Sequence, residues 1–143
     1  MKFILKYSVC FVLTMCLALP LVSCAGDKEA KKEALKSAES WLKLVDNGEY
    51  GQSWEDASNL FQQAITKEAW ITTIKGVRPP LGKVESRKLE SAAYATQLPG
   101  APDGEYVVIQ FNTVFENKAN AVETITPMKD PDGSWKVSGY YIK

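Results

Sequence analysis

The spacing of apolar residues changes once along this chain, at the Arg-Pro-Pro-Leu-Gly segment of residues 78–82. Before that segment, apolar residues recur three and four positions apart, as they do on one face of a helix. After it they alternate with polar residues, which is the period of a strand with one buried face. Helices followed by strands predict an α+β domain whose N-terminal helices pack on one face of an antiparallel sheet.

Three helices are predicted before the change. The first begins at Ala34 and ends at Asn47-Gly48, where a glycine suits the left-handed cap position. The second begins at Ser53 as its N-cap, and the third begins at Thr66. Pro79-Pro80 is expected to stop the third helix, because the residue before a proline is pushed out of helical geometry. The expected buried face of this helix consists of Ala69, Trp70, Thr73, Ile74 and Val77.

Four strands are predicted after the change, forming a curved, cone-like antiparallel sheet. Residues 83–96 alternate weakly, whereas residues 106–115 alternate clearly and 121–128 return after a turn. The last strand starts at Trp135, and Trp135, Val137, Gly139 and Tyr141 are expected to share a face.

The first residues of the chain are not expected to belong to this domain. Lys2 and Lys6 form a positive start, and an apolar run of about a dozen residues follows. That run is too short to cross a hydrocarbon core comfortably, since about 20 residues are needed. The pattern is typical of a secretory signal.

The end of this signal, Leu-Val-Ser-Cys at residues 21–24, resembles the lipobox of bacterial lipoproteins. The resemblance implies cleavage before Cys24, diacylglycerol on its thiol and an acyl chain such as palmitate on its amine. Two or three chains are enough for stable attachment to a membrane. Ala25, where an aspartate would resemble an inner-membrane retention signal, implies the periplasmic leaflet of the outer membrane. An uncleaved anchor, or an ordinary signal with a chance cysteine, is the alternative.

Three segments follow from this interpretation. Residues 1–23 are the lipoprotein signal peptide, 24–33 are the lipidated cysteine and its tether, and 34–143 are a single α+β domain.

Composition limits the chemistry of that domain. The three cysteines are Cys10, Cys16 and Cys24, so the mature domain has no disulfide and must be stable through its own core. The chain has no histidine, which removes the commonest metal ligand and general base. Basic and acidic residues number 17 each, which does not favour a nucleic-acid partner. We expect no metal and no cofactor.

The sequence after the signal resembles a family of bacterial secreted and lipoprotein domains known as domain of unknown function 4019. The resemblance rests on residues spread over nearly the whole mature chain. They are Trp41-Leu42, the segments 46–50 and 78–82, Ser53-Trp54, Ala57-Ser58, Trp70, Arg87, Leu98-Pro-Gly100, Phe111, Phe115, Glu123 and the closing segment 132–142.

The order of elements also resembles the nuclear transport factor two-like (cystatin-like) superfamily. This resemblance implies helices packed against a strongly bent sheet. The superfamily includes isomerases, dehydratases and binding modules, so fold alone does not determine the activity.

Arg78 and Arg87 are the two arginines of the chain, and they flank the Pro-Pro-Leu-Gly segment. A guanidinium group favours bidentate carboxylate partners. The two residues could clamp an anionic ligand, or they could form ion pairs with Glu123 or Glu116 that fix the turn between helix and strand. The second interpretation is favoured.

Aromatic and acidic residues leave a further choice open. Trp41, Trp54, Trp70 and Trp135 could line a ligand cavity or simply fill the core, and the core is favoured. Acid–base catalysis would need a buried acid and a tyrosine as oxyanion donor. The candidate acids are Asp46, Glu105, Glu116 and Glu123, and the candidate tyrosines are Tyr50, Tyr94, Tyr106, Tyr140 and Tyr141.

The leading hypothesis is a lipid-anchored, non-catalytic domain that binds an envelope protein or a small apolar ligand. The alternative is a metal-free acid–base enzyme, isomerase- or dehydratase-like. No catalytic residue is assigned, and Asp46 is expected to be a solvated helix cap.

Overall fold

A computed structural model describes residues 23–143 of the chain. The predicted signal peptide lies outside the described residues except for the backbone of Ser23. The side chain of Cys24 lies outside them as well, so the predicted lipid attachment stays a prediction.

The first helix, α1, spans Ser23–Asp46 and therefore begins well before Ala34. The structure differs here from the expected tether, because α1 continues through residues 24–33. This segment lacks apolar periodicity, but alanine, lysine and glutamate are strong helix formers. Glu29 and Lys32 pair at a spacing of three residues, and Ala30 already packs into the core. The end of α1 agrees with the prediction, since Gly48 has a φ of 77°.

Two short helices follow, α2 at Tyr50–Glu55 and α3 at Asn59–Ala64. The prediction that Ser53 is an N-cap is wrong, because Ser53 lies inside α2 and is fully buried. Its hydroxyl donates to the carbonyl of Tyr50 at 2.8 Å, which satisfies the side chain within the helix. Ser58 caps α3 instead, and its Oγ accepts from the backbone N–H of Phe61.

Helix α4 spans Lys67–Leu81 and is capped by Thr66, as predicted. Pro79 and Pro80 do not stop it, because both lie in its last turn and Arg78 before them stays helical. The Arg78 side chain is buried and bonded to Gly82 O, which ties this turn down. The helix ends at Gly82, with a φ of 75°.

The buried face of α4 differs from the expected one. Trp70, Ile74 and Arg78, each four residues apart, are buried. Val77 is 44% exposed, and Ala69 and Thr73 also face solvent. Trp70 and Ile74 are therefore buried as expected, and the expectation is wrong for Ala69, Thr73 and Val77, because Arg78 occupies the position facing the core in the last turn.

The strands are β1 at Val84–Ala95, β2 at Tyr106–Phe115, β3 at Lys118–Lys129 and β4 at Trp135–Ile142. They form one antiparallel sheet in the order β1-β2-β3-β4. The α+β prediction is confirmed. In β2 the expected alternation holds, with Val107, Ile109, Phe111, Thr113 and Phe115 buried and the residues between them more exposed.

The alternation expected for β4 fails after Val137. Pro127 pairs with Val137, whereas Thr126 pairs with Gly139, so Ser138 is an extra residue in β4. A bulge of this kind reverses which side chains face the core beyond it. Tyr141, expected to face the core, is 49% exposed, and Tyr140 packs against the core in its place.

Aromatic side chains fill the space between helices and sheet. Trp41 lies 5.8 Å from Trp70 and 5.3 Å from Tyr140, and Phe61 meets Trp70 edge-on at 5.0 Å. The indole N–H groups of Trp41 and Trp70 both donate to Ser53, one to its carbonyl and one to its hydroxyl. Trp41 and Trp70 therefore fill the core, as favoured from the sequence.

Candidate functional site

Arg87 and Glu123 form a bidentate ion pair across the middle of the sheet. Arg87 lies on β1 and Glu123 on β3, with β2 between them. Arg87 Nε lies 2.6 Å from Glu123 Oε2, and Nη2 lies 3.1 Å from Oε1. Glu123 is fully buried, and Thr113 on β2 donates its hydroxyl to Oε2 at 2.6 Å. The pair therefore joins three strands through side chains.

Tyr140 completes the surroundings of Glu123 from β4. Its hydroxyl donates to Glu123 Oε1 at 2.5 Å, which the bulge at Ser138 makes possible by turning Tyr140 inward. Each carboxylate oxygen of Glu123 now accepts two hydrogen bonds, and a carboxylate has about four acceptor sites. Burial, together with the neighbouring Glu123 charge, raises the pKa of Tyr140 well above its ordinary value, so it stays a donor.

Asp46 at the end of α1 links the two arginines. Arg87 contacts its two oxygens at 2.7 and 3.1 Å, and Arg78 Nη2 lies 3.0 Å from Oδ1. Partial burial alone would raise the pKa of Asp46, but hydrogen bonds and charges from Arg87 and Arg78 outweigh it and lower the pKa. The expectation of a solvated cap is therefore wrong, because the Asp46 side chain is 23% exposed and ion-paired.

Arg78 reaches this cluster from the last turn of α4. It is 4% exposed, and its Nη1 donates to Gly82 O at 2.6 Å. Its guanidinium lies 4.6 Å from the ring centre of Phe115, a distance typical of a cation–π contact. Its Nε has no hydrogen-bond partner among the described residues. A cation in the last turn is also favoured by the helix dipole.

We call these side chains the charge network: Asp46, Arg78, Thr113, Arg87, Glu123 and Tyr140. They come from α1, α4 and all four strands, and two positive charges face two negative ones. Burial alone would lower the pKa of Arg87, but its hydrogen bonds to Asp46 and Glu123 raise it, so that the ion pairs persist. A charge-balanced cluster of this kind, with every oxygen of Glu123 and Asp46 bonded, positions the elements that carry it.

The structure joins some of the sequence candidates and separates others. Arg87 and Glu123 meet as the ion-pair interpretation expected, and Arg78 joins them through Asp46. Glu116 lies apart and accepts from the backbone N–H of Lys83. Glu105 lies near the opposite end of the sheet and accepts from the hydroxyl of Tyr94 at 3.2 Å.

Sequence reasoning gave Thr113 no role in the network and could not single out Tyr140. Tyr140 is one of the five tyrosines named above as candidate oxyanion donors. Strict alternation along β4 would direct its side chain to solvent, because the alternation does not include the bulge at Ser138. The alternation in β2 correctly predicts that Thr113 faces the core, but the sequence does not indicate that its hydroxyl bonds to Glu123. Asp46 was considered as an acid, yet it lies 32 and 41 positions from its arginines, so spacing gave no signal.

Clefts on the described surface include five with volumes of about 430 to 450 Å³. Thr113 is the one member of the charge network that lines any of these five. The carboxylates of the network therefore line none of these five clefts.

Trp135 lines three of the five clefts. We call the one between α1, α2 and the start of β4 the Trp135 cleft; Ser40, Leu44 and Asp56 also line it. Ser37 holds the strand in place by donating its hydroxyl to the carbonyl of Trp135 at 2.7 Å. The indole Nε1 of Trp135 has no hydrogen-bond partner within residues 23–143.

Residues 23–143 offer neither a cluster of metal ligands nor a membrane-spanning helix. They contain no group of three or more side chains of the metal-ligating types close enough to hold an ion. None of the four helices in this range has the length and apolar character to cross a membrane.

Comparison with known proteins gives one positive result. A protein-family model described as "Protein of unknown function (DUF4019)" matches residues 37–140. The matched range contains every residue of the charge network and the Trp135 cleft. A search of curated proteins found no match to the chain.

Proposed function

The chain belongs to the DUF4019 family, and from this premise we propose that it is a lipid-anchored domain of the cell envelope that binds a partner without catalysis. The observation that carries the non-catalytic part is the saturation of Glu123. Its two oxygens already accept four hydrogen bonds from Arg87, Thr113 and Tyr140.

The alternative, a metal-free acid–base enzyme, has the residue types it needs in Glu123 and Tyr140. A general base must, however, come within hydrogen-bond reach of the proton that it removes. Glu123 is fully buried, and the clefts described above are lined by other acids. The geometry therefore favours a structural carboxylate over a catalytic one.

The anchoring part of the proposal rests on the signal and the Leu-Val-Ser-Cys segment ending at Cys24. Diacylglycerol and an acyl chain on Cys24 would hold the domain on a bilayer, since two or more chains bind stably. We place it on the periplasmic leaflet of the outer membrane, because Ala25 follows the cysteine. The four-stranded meander behind N-terminal helices also supports our proposal of a nuclear transport factor two-like fold.

Labelling tests the anchor. Cells that express the full chain are fed an alkyne analogue of palmitate, and the protein is isolated and coupled to a fluorophore. We expect label on the wild-type chain and none on Cys24→Ser, because the lipidation reactions begin at this thiol. A wild-type chain without label would contradict the anchor, and Lys43→Ser, which leaves the lipobox intact, serves as the control.

We propose that the domain binds its partner at the Trp135 cleft. Small-molecule sites enclose most of their ligand, whereas this cleft is a half-open groove with a tryptophan wall and polar rims. A groove of this kind suits a segment of a protein partner, for which tryptophan is a favoured contact residue.

Blocking the groove tests the binding part. Ser40 is exposed and lines the groove, so Ser40→Tyr should fill it without touching the core. Lys43→Tyr is the matched control, since Lys43 is exposed on the same helix but does not line this cleft. Crosslinking in membranes, read by mass spectrometry, should give one partner band that Ser40→Tyr removes and Lys43→Tyr keeps. Equal bands in both variants would contradict this surface.

A further inference from the structure

We propose that the end of the domain where α1 begins rests on the surface of a phospholipid bilayer, which fixes the orientation of the whole domain. This inference rests on the proposed lipid anchor at Cys24 and adds the surface that meets the membrane. That surface is defined by the start of α1 and the loop of residues 96–105, and we call it the proximal end.

Helix α1 runs without a break from the predicted lipid site into the folded domain. A flexible linker would let the domain turn freely, but residues 24–33 are helical. Ala30 is 9% exposed and Ala34 is fully buried against the sheet, so the helix joins the folded body within two turns. At a rise of about 1.5 Å per residue, Cys24 lies only about 9 Å along the helix from Ala30. Lipid on Cys24 would therefore hold the body close to the bilayer.

The start of α1 lies beside the loop of residues 96–105. Gly26 and Asp27 line one cleft together with Tyr94, which lies two residues before the loop, and Glu105, the last residue of the loop. Gly104 donates its backbone N–H to Thr96 O at 3.0 Å and closes this loop at its base. The loop and the lipid attachment point therefore share one end of the molecule.

The tip of that loop is uncharged. Residues 97–102 read Gln-Leu-Pro-Gly-Ala-Pro, and the two acids of the loop, Asp103 and Glu105, follow at its C-terminal base. Placing such a segment at the headgroup layer removes apolar surface from water and desolvates no ionised side chain. The exposed face of α1 differs, since it carries charges of both signs at Lys32, Glu33 and Lys36. The loop is the better of the two surfaces for contact with lipid.

The opposite end of the molecule, where α1 ends, would lie far from the membrane. The 24 residues of α1 extend over about 36 Å, and Asp46 with its two arginines lies at the far end. The hairpin between β2 and β3 lies at that end too, because β1 starts and β2 ends there. The charge network would therefore point away from the membrane.

Site-specific fluorescence tests this orientation. Cys24 is the only cysteine after the signal, and lipid would block its thiol, so an added cysteine can be labelled alone. Gln97→Cys places a dye on the proximal loop, and Ala119→Cys places it on the distal hairpin; both positions are exposed. The lipidated chains are reconstituted into vesicles of phosphatidylethanolamine and phosphatidylglycerol that carry a quencher on some headgroups.

We expect quenching several-fold stronger at position 97 than at position 119. Equal quenching at the two positions, as for a domain that tumbles or lies flat, would overturn the inference. So would stronger quenching at position 119. The anchor itself is read separately by flotation: a chain that does not float with the vesicles contradicts the lipid anchor, and this inference with it.

A matched variant tests the role of the helix. Insertion of a short Gly-Ser segment between Gly26 and Asp27 keeps the lipid site but interrupts α1 before it reaches the core. We expect unchanged flotation and a loss of most of the difference between positions 97 and 119. A difference that persists unchanged shows that helix continuity does not set the orientation, which would overturn the inference.

Discussion

Glu123 shows why a charge can be buried in this domain. Removing a carboxylate from water costs several kcal/mol unless it is paired and its remaining acceptor sites are used. Arg87 supplies two hydrogen bonds and the opposite charge, and Thr113 and Tyr140 supply the other two. Loss of this carboxylate would leave the partly buried Arg87 guanidinium with one anionic partner fewer, which would destabilise the fold.

Substitution of Glu123 by Gln should therefore lower the free energy of unfolding by about 3–5 kcal/mol. Urea denaturation followed by tryptophan fluorescence measures this change. Glu116→Gln, an exposed carboxylate on the neighbouring turn, is the control and should cost less than about 1 kcal/mol. Similar losses in the two variants would contradict a structural role for the buried carboxylate.

Asp46 gives the domain a dependence on pH. Its pKa is lower in the folded state than in the unfolded chain, so it stabilises the fold fully above its ordinary pKa of about 3.9. This contribution is lost as pH falls through the lower, folded-state pKa. We expect wild type to exceed Asp46→Asn in unfolding free energy at pH 7 and the gap to shrink steadily below pH of about 4. A gap that is constant across that range would contradict the ion-paired geometry.

Strand β4 shows how a single extra residue changes an element. Without the bulge at Ser138, strict alternation would direct Tyr141 to the core and Tyr140 to solvent. The register instead brings Tyr140 to Glu123 and leaves Tyr141 49% exposed. The bulge therefore decides which tyrosine takes part in the charge network.

A pair of neighbouring substitutions tests the bulge. Tyr140→Phe removes one hydrogen bond to a buried charged acceptor and should cost about 1.5–3 kcal/mol. Tyr141→Phe should change stability by less than about 0.5 kcal/mol, because that hydroxyl has no hydrogen bond to another described residue. Thermal unfolding of both variants gives the comparison, and the reverse order would indicate an unbulged strand.

The junction between α4 and β1 depends on Gly82. Its φ of 75° is one that residues with a Cβ seldom adopt, and an added Cβ would lie 2.8 Å from the Cβ of Glu116. Gly48 has a similar φ of 77° but open space around it. Gly82→Ala should therefore destabilise the fold by about 1–3 kcal/mol more than Gly48→Ala, as measured by urea denaturation. Equal effects would show that the turn can move away from Glu116.

The elements themselves could largely be predicted from the sequence. The period of apolar residues revealed the order of helices and strands, and Thr66 and Gly48 marked two helix ends correctly. The features not predicted were helix over residues 24–33, Ser53 inside α2, the division of the second predicted helix into α2 and α3, the continuation of α4 through Pro79 and the bulge in β4. In each case contacts with distant residues, or strong helix propensity without an apolar stripe, outweighed the local signal.

At the scale of the whole molecule, the site was less predictable than the fold. The pairing of Arg87 with Glu123 was among the expected outcomes, because two lone arginines favour carboxylate partners. The role of Asp46 was not expected, since it depends on how α1 lies against the sheet. Long-range packing of this kind leaves no trace in the spacing of residues along the chain.

These features describe a closed domain whose buried charges serve its own fold and which we propose is carried on a membrane by Cys24. The most direct test is membrane fractionation of Cys24→Ser expressed behind a secretory signal that is cleaved without lipid, because cleavage at a lipobox follows lipidation of the cysteine. We predict a cleaved, folded domain that appears wholly in the soluble fraction, whereas the wild-type chain stays with the membranes. A Cys24→Ser chain that remains membrane-bound after cleavage of the signal would contradict the account.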